Sequence, residues 1–287
     1  MPIGGLFKPE YLLRPRNIAA RLRYRDTSRL PAEMMATVRG RPFRIHPDEV
    51  IGRHLLHFGL FDLLVTETLL RLAEPGETAA DVGANIGYMS CVLADAVGPA
   101  GRVIAFEPHP EIFQDLVWNT RGLPIEARPA ATSDHEGTAR LKMPVTFAGN
   151  RGIATLETTE ESHAEIDVAL TTLDAAFLAE RIGVLKIDIE GHELNALKGA
   201  TRLLSGRRIR DIVFEEHNPV GSPVAKYLAG FGYRVFRLHK TFRGPELIDA
   251  DARIAESTWE SPSLLATLEP DRARRLLSRG GWHALRN

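Results

Sequence analysis

The 287-residue chain has the composition of an ordinary globular protein that folds in water. Apolar residues make up 44% of it and charged residues 25%, which excludes a disordered or a membrane-embedded chain. Its 36 basic and 37 acidic side chains leave a net charge of −1, so no overall positive charge favours nucleic acid as a partner. Cys91 is the only cysteine, which excludes an intrachain disulfide and a zinc site built from several thiolates, and indicates a cytoplasmic protein.

Residues 1–60 are predicted to form a basic N-terminal extension to a larger domain at residues 61–287. Residues 1–53 contain eleven basic residues against five acidic ones. Pro15 interrupts an amphipathic helical pattern, and Pro31, Pro42 and Pro47 are expected to break the segment further. The segment lacks the unbroken apolar run of a signal peptide, and we expect no membrane span anywhere in the chain. The extension is expected to help cover the functional site or to mediate self-association into a homo-oligomer.

From residue 61 onward, helical and β-like runs alternate. Apolar residues between 61 and 72 recur at helical spacing, and Pro75-Gly76 ends this predicted helix. The predicted strands are residues 78–82, 103–106, 125–130, 184–189, 212–215, 233–238 and 264–268. Because helices separate most of them, we expect a doubly wound, mostly parallel α/β sheet with its ligand site at the carboxyl ends of the strands. Alternation between residues 137 and 171 predicts an antiparallel β insertion.

The most informative segment joins a predicted strand to a predicted helix around Gly83. This glycine permits a tight turn and close approach of a ligand to the backbone, Gly87 permits close helix packing, and the N–H groups at the helix start offer hydrogen-bond donors. Glu107 follows at the end of the next strand, where a carboxylate can accept hydrogen bonds from two ribose hydroxyls. Together these residues predict a nucleoside pocket.

A nicotinamide or flavin cofactor is the alternative for such a turn, but the spacing does not match. Asn85 and Ile86 interrupt the G-x-G-x-x-G pattern that those cofactors require. Asp81 would repel a pyrophosphate and attract the ammonium of a methionine moiety. The pocket is therefore predicted to bind S-adenosylmethionine, which carries no phosphate.

Several motifs resemble those of the FkbM family of class I methyltransferases, over roughly residues 61–240. The matching segments are Asp81-Val82-Gly83-Ala84-Asn85-Ile86-Gly87, Phe106-Glu107-Pro108, Ala131-Thr132-Ser133-Asp134 with Gly137, Lys186-Ile187-Asp188-Ile189-Glu190-Gly191-His192-Glu193, and Leu197-Lys198-Gly199-Ala200. The resemblance implies a Rossmann-like, seven-stranded sheet, S-adenosylmethionine as methyl donor, and an oxygen acceptor. The predicted donor-binding residues are Asp81, Gly83, Asn85, Gly87, Glu107, Ser133 and Asp134, the last of them near the adenine.

The predicted chemistry belongs to Lys186, Asp188 and Glu190. Alternate side chains of a strand share a face, so all three are expected together at the carboxyl end of one strand, beside the donor. One carboxylate would accept the proton of the acceptor hydroxyl, and the other would hold the hydroxyl or the sulfonium in line, with Lys186 tuning their charge. The alternative is that Lys186 and Asp188 form only a structural ion pair.

A second polar cluster, Glu215-Glu216-His217-Asn218, closes the following predicted strand. The cluster would position the acceptor. Alternatively, Asp188 with Glu216, His217 and Asn218 would supply oxygen and imidazole ligands to a divalent cation, and the sequence does not decide between these roles. His54 and His57 are interpreted as solvated residues of a helix.

Two other functions are weighed against O-methylation of a small molecule, sugar or glycan. One is a module that binds a nucleoside ligand without catalysis, but such a module would not need three converging charged groups. The other is a methyltransferase acting on nucleic acid. Enzymes that methylate nucleic-acid amino groups usually carry Asn-Pro-Pro or Asp-Pro-Pro before an aromatic residue, whereas this chain has Asp188-Ile189-Glu190-Gly191. The sequence therefore favours a hydroxyl of a small molecule or glycan, and no nucleic-acid partner.

Overall fold

The computed structural model describes residues 9–144, 154–156, 162–216, 221–250 and 263–286. Its strands are β1 (Met34–Val38), β2 (Arg41–Ile45), β3 (Thr78–Val82), β4 (Arg102–Phe106), β5 (Ile125–Arg128), β6 (Ala131–Thr132), β7 (Gly137–Pro144), β8 (Ser162–Thr171), β9 (Ile182–Ile187), β10 (Ile209–Glu215), β11 (Arg234–Thr241), β12 (Gly244–Asp249) and β13 (Ser263–Thr267). Its α-helices are α1 (Pro9–Leu12), α2 (Arg16–Arg23), α3 (Val50–Phe58), α4 (Leu63–Leu72), α5 (Tyr88–Val97), α6 (Pro110–Thr120), α7 (Leu173–Ala176), α8 (Glu193–Lys198), α9 (Thr201–Ser205), α10 (Pro223–Gly230) and α11 (Pro270–Leu277).

The central sheet has the strand order β12-β11-β13-β10-β9-β3-β4-β5. The five strands from β10 to β5 are parallel, whereas β13 runs antiparallel to both β10 and β11. This arrangement confirms the predicted doubly wound, mostly parallel α/β sheet. Its apolar strands carry an apolar cluster on each face, one packed with α4, α5 and α11 and the other with α7 to α10.

The sheet has eight strands in the described part of the chain, one more than the seven expected. The additional strand is β12, which pairs with β11 through a hairpin at Gly244. The sequence analysis did not predict this strand. Pro245 lies near its start, where a proline is tolerated because one side of an edge strand donates no ladder hydrogen bonds.

The predicted antiparallel insertion is confirmed and forms a separate small sheet. Strand β8 lies between β6, to which it is parallel, and β7, to which it is antiparallel. The predicted strand at residues 125–130 is divided, because Pro129 has no N–H to continue the ladder after β5. The chain then joins the second sheet as β6.

The N-terminal segment contains a β-hairpin that the sequence did not indicate. Pro15 separates α1 from α2 as predicted, and Pro42 was interpreted as a further break. In the structure Pro42 lies within β2, opposite Thr37 of β1. Tyr11 and Phe43 are buried in the same apolar cluster as α4 and α5, so this segment packs onto the main domain. The domain boundary at residue 60 stays a prediction.

A buried ion pair on α4 fastens the C-terminal residues to the domain. Arg71 donates to Glu67 at 2.6 Å and, through its other nitrogens, to the carbonyls of Leu277 and Gly281 at 3.1 and 2.6 Å. The second oxygen of Glu67 accepts the N–H of Ala284 at 2.8 Å. Each buried charge thus has several partners, which offsets the cost of burying it. Among the described helices, none has the length and apolarity needed to cross a membrane.

Candidate active site

A cavity of about 430 Å³ lies at the carboxyl ends of β3, β4, β9 and β10. This position is where open α/β sheets bind ligands, and the volume falls within the range of small-molecule sites. The N-terminal helices α1 and α3 and the β insertion also contribute to its walls. The predicted residues that line it are Gly83, Asn85, Glu107, Lys186, Asp188 and Glu190. Asp81, Gly87, Ser133 and Asp134 do not line it.

The two glycines of the turn after β3 are required for different close contacts. Gly83 has φ +75°, and a Cβ there would lie 1.9 Å from the carbonyl oxygen of Asp188. Gly87 has φ +92° and caps α5, and its Cβ would lie 2.8 Å from the side chain of Leu116 on α6. The helix packing expected at Gly87 is confirmed. The sequence predicted that a ligand would approach the backbone of Gly83 closely, whereas in the structure the loop after β9 does so.

Glu107 is buried and is held by two backbone groups. The N–H of Asn85 donates to Oε2 at 3.0 Å, and the N–H of His109 donates to Oε1 at 2.8 Å. Burial raises the pKa of Glu107 to about 7, even though both N–H donors favour the ionised form. The carboxylate is thus fixed in orientation and changes charge near neutral pH.

Lys186 is buried between two carboxylates under the glycine turn. Its ammonium donates to the carbonyl of Gly83 at 2.9 Å and lies 3.4 Å from Asp81 and 3.5 Å from Asp188. Burial alone would lower the pKa of Lys186, but Asp81 and then Asp188 raise it above its ordinary value. Lys186 therefore stays charged and ties the turn to the loop after β9.

Asp81 lies beneath the cavity wall. It is fully buried, and Oδ2 accepts a hydrogen bond from Ser90 at 2.6 Å. The predicted contact with a methionine ammonium requires a residue at the cavity surface, whereas Asp81 reaches the site only through Lys186. Asp81, near the end of β3, thus holds Lys186 in position.

Strand β9 ends at Ile187, so the expected alternation does not extend to Glu190. Glu190 has φ +54° and lies in a loop, where Glu193 accepts the N–H groups of Ile189 and Gly191 at 3.0 and 3.3 Å. Asp188 and Glu190 nevertheless both line the cavity. A folded loop, and not the predicted strand face, brings them to the same cavity. The Asp188–Lys186 ion pair of the alternative interpretation is present, and the role of these residues in the chemistry stays a prediction.

The third motif contributes a residue other than those predicted. Ser133 is buried, with its hydroxyl 3.1 Å from His192 Nε2, and Asp134 is exposed and paired with His135 at 2.7 Å. Thr132 lines the cavity instead, and its buried hydroxyl has no hydrogen-bond partner among the described residues. The third motif thus brings Thr132 of β6 to the cavity lining, and the predicted donor contacts of Ser133 and Asp134 stay predictions.

Sequence reasoning missed the cavity wall supplied by the N-terminal segment. Glu10, His54 and Phe58 line the cavity, although His54 was interpreted as a solvated residue. His57 contacts the carbonyl of Tyr24 at 3.1 Å and does not line the cavity. No motif marks these residues, because only the docking of α1 and α3 against the sheet brings them to the site.

The proposed cation site is only partly within the described chain. Glu215 lines the cavity, whereas Glu216 accepts a hydrogen bond from Ser222 and does not. His217 and Asn218 lie outside the described residues. Across the ranges that the structure describes, no three His, Cys, Asp or Glu side chains are close enough to hold a metal ion. Binding of a divalent cation at this cluster therefore stays a prediction.

Comparison with known families identifies the chain. A sequence model of the methyltransferase FkbM domain matches residues 81–235, which is more than half of the chain. The chain belongs to the FkbM methyltransferase family. The FkbM match includes the glycine turn, Glu107 and the loop after β9, and the predicted family is therefore confirmed.

Two individual methyltransferases match about half of the chain at low sequence identity. The hexuronic acid methyltransferase AglP of Haloferax volcanii is 29% identical over 161 residues, covering 53% of this chain and 61% of AglP. The methyltransferase sdnD of Sordaria araneosa is 27% identical over 174 residues, covering 49% of this chain and 66% of sdnD. The chain thus spans less than two thirds of the length of either relative. A SAM-dependent O-methyltransferase structure from Thermotoga maritima aligns with 14% identity, covering 82% of this chain and 77% of that one, at a TM-score of 0.44.

Proposed function

We propose that this chain transfers a methyl group from S-adenosylmethionine to a hydroxyl oxygen of a small molecule, sugar or glycan. One observation carries the proposal: the buried, oriented carboxylate of Glu107 and the carboxylates of Asp188 and Glu190 line a single cavity at the carboxyl ends of the strands. Membership of the FkbM family supports the same donor and the same class of reaction.

The residues present fit the nucleoside part of the donor. Each oxygen of Glu107 accepts one backbone N–H and keeps a further lone pair, so the two ribose hydroxyls can donate to it. We assign the methionine part to the wall formed by Gly83 and Asn85, since Asp81 is buried beneath that wall. When bound, the donor supplies a methyl group activated by its bond to a positively charged sulfur.

The carboxylates at the end of β9 are assigned to the acceptor. As the new oxygen–methyl bond forms and the sulfur–methyl bond breaks, the hydroxyl proton passes to a carboxylate oxygen of Asp188 or Glu190. Lys186 holds Asp188 in place through the 3.5 Å ion pair. Transfer needs the hydroxyl oxygen, methyl and sulfur in line, so fixing these side chains contributes by orientation as well as by proton acceptance.

The proposal is tested by incubating the protein with methyl-labelled S-adenosylmethionine and pooled metabolites and glycans from its source, followed by mass-resolved detection of labelled products. We expect labelled products whose methyl ether is confirmed by fragmentation. Tight binding of S-adenosylhomocysteine without any labelled product would instead identify a binding module and contradict the proposed activity.

A further inference from the structure

The N-terminal segment that forms one wall of the cavity also exposes a concentration of large apolar side chains. Leu12 ends α1, Leu13 follows it, and Ile18 and Leu22 lie on α2; each of the four is 37–62% exposed. They are half of the eight large apolar side chains that are exposed in the described part of the chain. Single exposed apolar residues are ordinary, whereas such a concentration in one short segment marks an interaction surface.

Hydrogen bonds to α1 fix the inner side of α2. Asn17 donates to the main-chain carbonyl of Glu10 at 2.9 Å, and Arg21 donates to the hydroxyl of Tyr11. Tyr11 is in turn buried against Phe58 of α3, with ring centroids 5.1 Å apart. The two helices are therefore packed together on the main domain, and the opposite side of α2 faces away from it.

This outer side of α2 combines apolar side chains with arginines. Ile18 and Leu22 are four residues apart and so share one side of the helix. Arg16 and Arg23 are exposed at its two ends. Residues 11–25 contain five arginines and no acidic residue. An apolar helix side flanked by basic residues is typical of helices that lie in the interface of a lipid bilayer.

A second arginine-rich helix, α11, has a different arrangement. Its Arg274 and Arg275 are exposed, but its apolar residues Ala273 and Leu277 are buried in the core. The apolar side of α11 is thus already covered by the protein. On α2 the apolar side is itself exposed, so one partner has to accommodate the apolar side chains and the arginines together.

Charge distinguishes between two partners that could cover this surface. A two-fold symmetric contact with a second copy would bring two arginine-rich segments without acidic residues against each other, which is unfavourable. An anionic bilayer attracts every arginine, and each one near the surface strengthens binding about fivefold. The same bilayer accepts apolar side chains at the boundary between headgroups and acyl chains. The observations therefore favour a lipid surface.

We propose that α1 and α2 bind the surface of an anionic lipid bilayer. Leu12, Leu13, Ile18 and Leu22 enter the boundary between headgroups and acyl chains, and the arginines contact lipid phosphates. Glu10 of α1 lines the cavity, so this contact holds one wall of the cavity close to the bilayer. Membrane binding does not depend on the proposed methyl transfer, and either can fail without the other.

Binding is measured by co-sedimentation of the full chain with vesicles. One set contains phosphatidylcholine alone, and the other contains equal parts of phosphatidylcholine and phosphatidylglycerol. We expect at least about tenfold tighter binding to the anionic vesicles. Raising the salt from about 0.1 M to about 1 M should weaken that binding, because the screening length falls from about 10 Å to about 3 Å. No binding to the anionic vesicles, or equal binding to both sets, overturns the proposal.

The apolar contribution is tested with Ile18→Gln combined with Leu22→Gln. Glutamine is a good helix former and both positions are exposed, so the fold should be retained, which circular dichroism checks. We expect binding to anionic vesicles to weaken about tenfold or more. Val117→Gln combined with Leu178→Gln, at exposed apolar residues outside α1 and α2, is the matched control and should bind like wild type. Equal binding by the two double variants contradicts the assigned surface.

The charge contribution is tested in the same way with Arg16→Gln combined with Arg23→Gln, which should weaken binding about tenfold or more. The control is Arg181→Gln combined with Arg207→Gln. These two exposed arginines precede β9 and β10, at the edge of the sheet opposite the cavity, and their loss should have little effect. Equal losses in both double variants would mean that the net charge of the protein, and not this surface, attracts the lipid.

Sedimentation velocity without lipid tests the other partner. We expect the wild-type chain and the variant with Ile18→Gln and Leu22→Gln to have the same oligomeric state. A wild-type dimer that this variant converts to a monomer would show that a second copy covers the surface, and would overturn the proposal.

Discussion

The backbone N–H of Asn85 donates to the carboxylate of Glu107 across 3.0 Å. This hydrogen bond links the glycine turn after β3 to a buried carboxylate at the end of the neighbouring strand β4. Because burial raises the pKa of Glu107 to about 7, the ionised form that accepts ribose hydroxyls is lost as the pH falls below neutrality. We expect S-adenosylhomocysteine to bind about tenfold more weakly at pH 6 than at pH 8. Titration calorimetry across this range measures the change.

The control for this prediction is Glu107→Gln, which has no charge to lose. Its affinity should be lower than that of wild type at pH 8 and nearly independent of pH. An unaltered affinity of the wild-type protein between pH 6 and pH 8 would mean that Glu107 does not ionise in this range or does not contact the ligand.

Gly83→Ala is expected to abolish S-adenosylhomocysteine binding and to destabilise the fold, because the added Cβ would collide with the Asp188 carbonyl. Gly98→Ala provides a matched control: Gly98 also has positive φ, +67°, but nothing lies within 4 Å of its Cβ position. Because Gly98 also has ψ −174°, the control should show only the backbone strain of this region, about 1–3 kcal/mol of unfolding free energy, with binding retained. Chemical denaturation and calorimetry compare the two variants, and equal effects would argue against the contact at Asp188.

Replacing Lys186 by methionine should lower the free energy of unfolding by about 3–5 kcal/mol, since it leaves Asp81 buried without its cation. Burial raises the pKa of Asp81 above its ordinary value. The contribution of this group to the free energy of unfolding is therefore largest at low pH, where the carboxyl is neutral, and is lost as the pH rises and it ionises. The loss in Lys186→Met should accordingly be smaller at pH 5 than at pH 8. Adding Asp81→Asn should recover much of it, and failure of the double variant to do so would contradict the pairing.

Asp188→Asn and Glu190→Gln are each expected to reduce methyl transfer, by about 10²–10⁴-fold for whichever residue accepts the proton. Affinity for S-adenosylhomocysteine should stay within a few-fold of wild type, because neither change removes the Glu107 contacts. Asp48→Asn, at an exposed aspartate that does not line the cavity, is the control. Full transfer by both variants would place the base elsewhere, with His217 or a metal-bound water as the next candidates.

The central fold was predictable because its signals are local. Residues 78–82 were predicted as a strand and form β3 with the same limits, and the alternation after residue 137 predicted the insertion. The hairpin of β1 and β2 was missed because Pro42, which lies within β2, was interpreted as a break, and the edge strand β12, which contains Pro245, was not predicted. A proline stops a strand only where its N–H would be needed, and the sequence alone does not say which strands are at an edge.

The site residues at the ends of strands were predictable from the sequence, whereas those that tertiary packing brings to the site were not. Glu107 and Asp188 were found because strand ends meet at one edge of a parallel sheet. The strand pattern did not predict that β9 ends at Ile187 and that a loop directs Glu190. Glu10 gave no signal, because it reaches the cavity only when α1 docks far from its place in the sequence.

The position of β13 has a consequence for biosynthesis. This strand follows β10 and β11 along the chain, yet it lies between them in the sheet and pairs with both. On the ribosome, β10 and β11 emerge before the strand that joins them exists, so the sheet cannot close until residue 267 has been made. A nascent chain that stalls before residue 263 would present the open edge of β10, a template for pairing with other chains, and would depend on chaperones until synthesis resumed.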